Sequence, residues 1–120
     1  MKLYESSEDY LETILILSRK NGVVRSIDIV SDRNFSKPSV SIAMKKLREN
    51  GYINVDEKGY ITLTKQGEKV AQKTYERHVL LTDLFVSLGV DEETAKKDAC
   101  RVEHDLSDET FEAIKKSFKK

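Results

Sequence analysis

Cysteine occurs once in this 120-residue chain and proline once. A lone cysteine forms no internal disulfide, which points to a reducing, intracellular setting; a cytoplasmic location is expected. The amino terminus, MKLYESSEDYLETILIL, carries acids where a secretory signal needs a basic start and an unbroken apolar run. No apolar stretch approaches the roughly 20 residues that cross a bilayer, so no membrane partner is expected. Charge of one sign is also missing: 21 Lys and Arg balance 21 Asp and Glu, which argues against a basic nucleic-acid coat and against an acidic tail. No internal repeat, low-complexity tract or Pro/Gly/Ser linker divides the chain. Its length suits one ordinary domain or two very small ones.

The charges that are present are unevenly placed. Residues 33 to 65 contain Arg33, Lys37, Lys45, Lys46, Arg48, Lys58 and Lys65 against Glu49, Asp56 and Glu57, seven bases minus three acids, or net +4. Helix signals surround this segment. A first helix opens at Ser6 or Ser7, carries Tyr10, Leu11, Ile14, Leu15 and Leu17 on its apolar side and stops at Asn21-Gly22. Ser26 is expected to cap a short second helix, SIDIVSDRN. Ser36 is expected to cap a third, KPSVSIAMKKLREN, with Pro38 in its first turn, Val40, Met44 (or Ala43) and Leu47 inward, and Gly51 as terminator. YINVDEKGYITL then reads as a β-hairpin around Lys58-Gly59, too small to stand without the helices before it. A long helix from about Thr64 to Leu88, a helix from Asp91 to about His104 and a last one from Ser107 complete a mainly α chain.

Three helices and a hairpin form a winged helix-turn-helix, whose third helix enters a DNA major groove while the hairpin touches the flanking backbone. Ser36, Lys37, Ser39 and Ser41 gather small polar groups at that helix's amino terminus, with Pro38 among the DNA-facing residues, and Lys37, Lys45, Lys46, Arg48 and the wing's Lys58 supply positive charge for phosphates. No Arg, Asn or Gln in its first turns offers an obvious base reader. A protein-docking winged helix with a merely solvated basic face is the competing interpretation.

In CRVEHDLS, Cys100, Glu103 and His104 stand at i, i+3 and i+4, a spacing that puts sulfur, oxygen and nitrogen donors on one helix face. Asp9 and Glu12 share a face of the first helix, and the only other histidine, His78, falls in the long helix. Five or six such donors on three helices suit one or two divalent ions. Singly, each has an ordinary explanation: Cys100 as a small core residue, Asp9 as a helix-start acid, His78 as an amphipathic surface residue.

With EDYLETIL, KPSVSIAMKKLRENGYI, LTKQGEKVA, ERHVLLTDLFVSLGVDEE and CRVEHDLSDE in place, essentially the whole chain resembles the metal-dependent repressors typified by the diphtheria toxin repressor and the manganese transport regulator (the DtxR/MntR family). The resemblance implies a winged helix-turn-helix over residues 1–66 and a helical metal-binding and dimerisation domain over 67–120. It implies a metal set of Asp9, Glu12, His78, Cys100, Glu103 and His104, with Fe2+ or Mn2+ as cofactor. Iron-type members have cysteine at the position of Cys100 but usually methionine at that of Asp9, whereas manganese-type members have aspartate and usually glutamate there; this chain mixes the two. Lys96 and Thr82 stand where an ancillary site would have ligands, and the sequence stops before an SH3-like module would begin, so a short form is expected.

The function expected is a cytoplasmic, homodimeric, metal-activated repressor of metal-homeostasis genes bound to a palindromic double-stranded operator, and not an enzyme. Ala95, Ala99, Val102 and Leu106 on one face and Phe111, Ile114 and Phe118 on another give the dimer surface, unless they pack within the subunit. The alternative is a winged-helix regulator that answers to a small molecule or to oxidation of Cys100, with metal incidental. Catalysis by Cys100 with His104 as base lacks a Gly-rich oxyanion turn and a third orienting group.

Overall fold

Capping chemistry sets most element boundaries in the computed structural model, which describes residues 5–33 and 35–118. Helix α1 spans Glu5–Asn21, and Tyr10, Leu11, Ile14, Leu15 and Leu17 are all buried. Gly22 ends it with φ 84°, its N–H donating to the Ser18 carbonyl at 2.9 Å. In α2, Ser26–Arg33, Ser26 is the first helical residue rather than the cap. Arg25 takes the cap position, and the Asp28 carboxylate in the first turn reaches back to accept its N–H at 2.8 Å. Asn34, expected in this helix, lies outside the described residues, as does the Arg33 side chain.

Helix α3, Lys37–Glu49, starts as expected: Ser36 Oγ accepts the Ser39 N–H at 3.2 Å, and Pro38 sits in the first turn, where its missing N–H costs nothing. Val40, Met44 and Leu47 are its buried stripe. Strands β1 (Ile53–Val55) and β2 (Ile61–Leu63) pair antiparallel, Ile53 opposite Leu63 and Val55 opposite Ile61. The turn between them is wider than Lys58-Gly59, because the Asp56 carboxylate accepts the N–H groups of both Lys58 and Tyr60 at 2.9 Å. The hairpin leans on what precedes it: Ile53 and Ile61 are buried, and the Ile61 N–H donates to the Val24 carbonyl at 2.8 Å.

Helix α4 covers Lys65–Ser87, α5 Glu92–Val102 and α6 Asp108–Phe118. Their caps are Thr64, Asp91 and Ser107, accepting the N–H groups of Gly67, of Glu93 and Thr94, and of Thr110. The chain divides into two compact units, Met1–Gln72 and Lys73–Lys120, and the line between them falls inside α4. The first holds Leu11, Ile14, Ile29, Val40, Leu47 and Ile53 in its core. The second buries Leu80, Leu81, Ala95, Ala99 and Phe111, together with the charged Arg77 and Glu103. Among the described residues no helix is long and apolar enough to cross a membrane.

One glycine is fixed by close approach. At Gly67, in the first turn of α4, an added Cβ would overlap the Tyr52 backbone carbonyl, the same carbonyl that accepts the Thr64 N–H at 3.1 Å. Backbone cannot yield as a flexible side chain does. Gly67→Ala is therefore expected to destabilise the first unit by ~1–3 kcal/mol, despite alanine's better helix propensity, as a lower denaturation midpoint at unchanged slope in urea.

Candidate metal centre and nucleic-acid face

The second unit brings three donor types to one point. His78 projects from α4, Cys100 from the last turn of α5, and Glu103 is the residue that caps α5 at its carboxyl end. One ligand atom from each lies within 4.8 Å of the others. His78 Nδ1 stands 3.0 Å from Glu103 Oε2, a hydrogen bond to the carboxylate when that nitrogen carries the proton. His104 Nε2 lies 3.5 Å from Oε1 of the same carboxylate. Glu103 thus has an imidazole at each oxygen, and it is fully buried while the Cys100 thiol is partly open.

The helix expected to reach about His104 ends at Val102. Glu103 keeps helical angles (φ −57°, ψ −26°) and donates its N–H to the Ala99 carbonyl at 2.9 Å, so the i, i+3 relation with Cys100 survives. His104 falls in the turn beyond, closed by the Asp105 N–H on the Val102 carbonyl at 3.0 Å. Asp9 and Glu12 lie on α1 of the first unit, where Glu12 is fully buried.

Imidazole nitrogen, thiolate sulfur and carboxylate oxygen form a donor set for a divalent transition metal, with bonds of ~2.0–2.3 Å to each. Donors round one such ion stand ~3–4 Å apart, so the cluster fits after a small contraction. All three must be deprotonated to ligate, so ion uptake competes with protons here. An Fe2+ or Mn2+ ion matches this chemistry.

Arg77, which the sequence reading passed over, braces the cluster. It is 5% exposed, and its Nη1 donates to the carbonyls of Glu103 at 3.0 Å and Leu106 at 2.6 Å. Nη2 donates to Asp108 Oδ1 at 2.7 Å, and the guanidinium stacks 5.1 Å from the Phe111 ring centre. The signal was available: Arg77 shares the inward stripe of α4 with Thr74, Leu80 and Leu81, where a charge needs a partner. The Asp108 carboxyl is held below its ordinary range, first by the hydrogen bond from Lys73 and by that residue's charge, then by Arg77. With the folded value lowered, this contribution is present above the unfolded value and fades as pH falls through the folded one.

The expected dimer residues fall into two groups. Ala95, Ala99 and Phe111 are buried in the subunit and serve its core, while Val102, Ile114 and Phe118 are half-buried. Leu88 is 72% exposed and, with Leu84, Ala113, Ile114 and Phe118, lines an open apolar groove between α4 and α6. In the first unit, Ser36, Lys37, Pro38, Ser39, Ser41, Lys45 and Lys46 are exposed on or just before α3, and Lys58 is exposed in the wing. The first turn of α3 contains no acid, so its positive end is uncompensated by side chains.

Arg77→Met removes the donor from two carbonyls, one of them buried. We expect a loss of ~2–3 kcal/mol in urea unfolding, and a clearly smaller loss for Asp108→Asn, whose side chain is 73% exposed. Equal losses would mean that the ion pair, and not the grip on the turn, matters.

The chain matches two family models end to end: the iron dependent repressor N-terminal DNA binding domain over residues 2–61, and the iron dependent repressor metal binding and dimerisation domain over residues 64–120. It is 36% identical over 111 residues to the transcriptional regulator MntR of Escherichia coli, covering 92% of this chain and 72% of that one. An HTH-type transcriptional regulator of Methanocaldococcus jannaschii is 37% identical over 113 residues, with 92% and 90% covered. Two solved structures superpose closely. The manganese regulator SloR gives a TM-score of 0.83 at 29% identity over 94% of this chain, and a manganese-dependent transcriptional repressor in complex with manganese gives 0.84 at 26% over 92%. The chain spans about half the length of each of those two, 53% and 51%. With a winged helix in one unit and an N, S, O donor cluster in the other, the chain belongs to the iron-dependent repressor family.

Proposed function

We propose that this protein is a metal-activated transcriptional repressor, a homodimer that binds a palindromic DNA operator in the cytoplasm when loaded with Fe2+ or Mn2+. The observation that carries the proposal is the convergence of His78, Cys100 and Glu103 in a chain whose other unit is a winged helix. His104 joins through the second oxygen of Glu103. Asp9 and Glu12 are assigned to the same set on the residue types the chain shares with its family. Bound metal would supply positive charge that offsets the buried carboxylate of Glu103, and with the site loaded the recognition helices of the dimer would keep one spacing. The effector acts by its differential affinity for that DNA-competent state.

Lys37, Lys45, Lys46 and Lys58 supply phosphate contacts, which give salt-dependent affinity without sequence information. Dimerisation draws on the groove around Leu84, Leu88, Ile114 and Phe118, because Ala95, Ala99 and Phe111 are already committed to the core.

Duplexes selected from a randomised pool with Mn2+-loaded protein provide the test. Excess chelator is expected to weaken their binding by roughly 5- to 150-fold, the ordinary range of coupling between two sites; equal affinity with and without chelator would refute metal control. Metal choice follows from Cys100. A soft thiolate favours Fe2+ over Mn2+, and affinity rises in the same direction along the series. Anaerobic activation curves should show Fe2+ acting at the lower concentration. Cys100→Glu should move the preference toward Mn2+, while an unmoved ratio would mean that the thiol only packs.

A further inference from the structure

Among the described residues of the first unit, Ile42 is the most exposed large apolar side chain, at 58%, and it lies on α3. It sits two residues from Val40 and two from Met44, about 200° of helix rotation from each, so it faces away from the stripe those residues bury. Folding gives no reason for it: a β-branched residue on a solvated helix face is a poorer helix former than the alanine or lysine that would serve there. Its surroundings are polar and positive. Ser39 and Lys45 stand three residues to either side, and Ser41 and Lys46 share the exposed surface. Ile42 also borders two grooves beside α3, one lined by Ser39 and Lys46 with Tyr10 and Ala43, the other by Ser41, Lys45 and Arg48 with Met44 and Val55.

We infer that Ile42 is a base-reading side chain, docking against the 5-methyl group of a thymine in the major groove; the inference rests on the regulator reading above. A protein-docking face would gather several large apolar side chains on the helix, whereas on α3 Ile42 is the one large exposed apolar group, amid hydroxyls and ammonium groups suited to phosphates; the exposed Val23 and Ile27 lie outside that helix. Among base edges in the major groove, the thymine methyl is the apolar feature, and aliphatic side chains are its natural partners. The serines and lysines place the helix on the backbone, and Ile42 supplies sequence discrimination that they cannot. This also accounts for a recognition helix that opens without Arg, Asn or Gln.

The test uses Mn2+-loaded full chain and duplexes enriched from a randomised pool. Each thymine is then replaced by deoxyuridine, which removes only the methyl. One thymine in each half-site should weaken binding about fourfold on replacement, the worth of one buried methyl group. Ile42→Ala should bind more weakly and lose this thymine-to-uracil difference, Ile42→Val should keep part of it, and the salt dependence of all three should match because no phosphate contact changes. If the Ile42→Ala protein discriminates thymine from uracil as well as the parent does, or if no thymine matters to the parent, the inference is overturned. Failure to enrich any duplex would count against the regulator reading itself and take the inference with it.

Discussion

A fully buried carboxylate, Glu103, is the constraint on which the second unit depends. Taking an ionised carboxylate out of water costs several kcal/mol even after relaxation, so its surroundings must return that energy through hydrogen bonds and charge. Here the side chain has His78 at one oxygen and His104 at the other, and its backbone carbonyl is held by Arg77. The grip on the backbone matters as much as the contacts to the carboxylate. Arg77 pins residues 103 to 106 as they leave α5 and reaches Asp108 at the start of α6, so the ligand turn and both flanking helices move as one piece. A divalent cation beside the cluster is what the buried negative charge calls for, and the same set of donors makes it a binding site.

The division of labour along the chain follows from charge. The first unit carries its serines and lysines outward on α3 and packs Val40, Met44 and Leu47 inward, so apart from Ile42 the outward face of that helix offers a partner polar and cationic groups. Ile42 stands out against that background for the same reason. The second unit instead buries Arg77 and Glu103, and leaves its apolar surface at Leu88 and along the α4–α6 groove. Phosphate contacts need exposed charge and ligand cradles need buried charge, which is why the two tasks occupy different helices.

Much of this was legible in the sequence because capping and periodicity are local. The Ser36 cap, the Val40–Met44–Leu47 stripe, the Asp91 and Ser107 starts and the pairing of the hairpin all follow from residues a few positions apart. What escaped was set by contacts across the chain or by competition between neighbours. The start of α2 moved off Ser26, with Asp28 reaching back to the Arg25 N–H, Asp56 widened the wing's turn, and α5 stopped at Val102, just before the Glu103 carbonyl that Arg77 holds. Apolar spacing gave the inward face of Ala95, Ala99 and Phe111, but spacing alone does not say whether such a face meets its own subunit or another. Of the proposed metal set, spacing singled out Cys100, Glu103 and His104, and His78 was put beside them only as the other histidine; the geometry brings His78, Cys100 and Glu103 within reach of one another. The part played by Arg77 was not legible, since nothing local pairs it with residues 26 to 31 positions later.

The central claim, that Cys100 and its neighbours hold a metal ion, is tested most directly by anaerobic titration with Co2+, followed by absorption spectroscopy. Cobalt shares the donor preferences of the ions proposed here, and a thiolate bound to it gives an intense sulfur-to-metal charge-transfer band. The account predicts that this band rises to saturation with the parent protein and is absent from Cys100→Ser, while the weaker ligand-field bands of a nitrogen and oxygen shell persist in that variant and are lost in Glu103→Gln. Saturating Co2+ with no charge-transfer band in the parent, or with spectra unchanged by both substitutions, would contradict it.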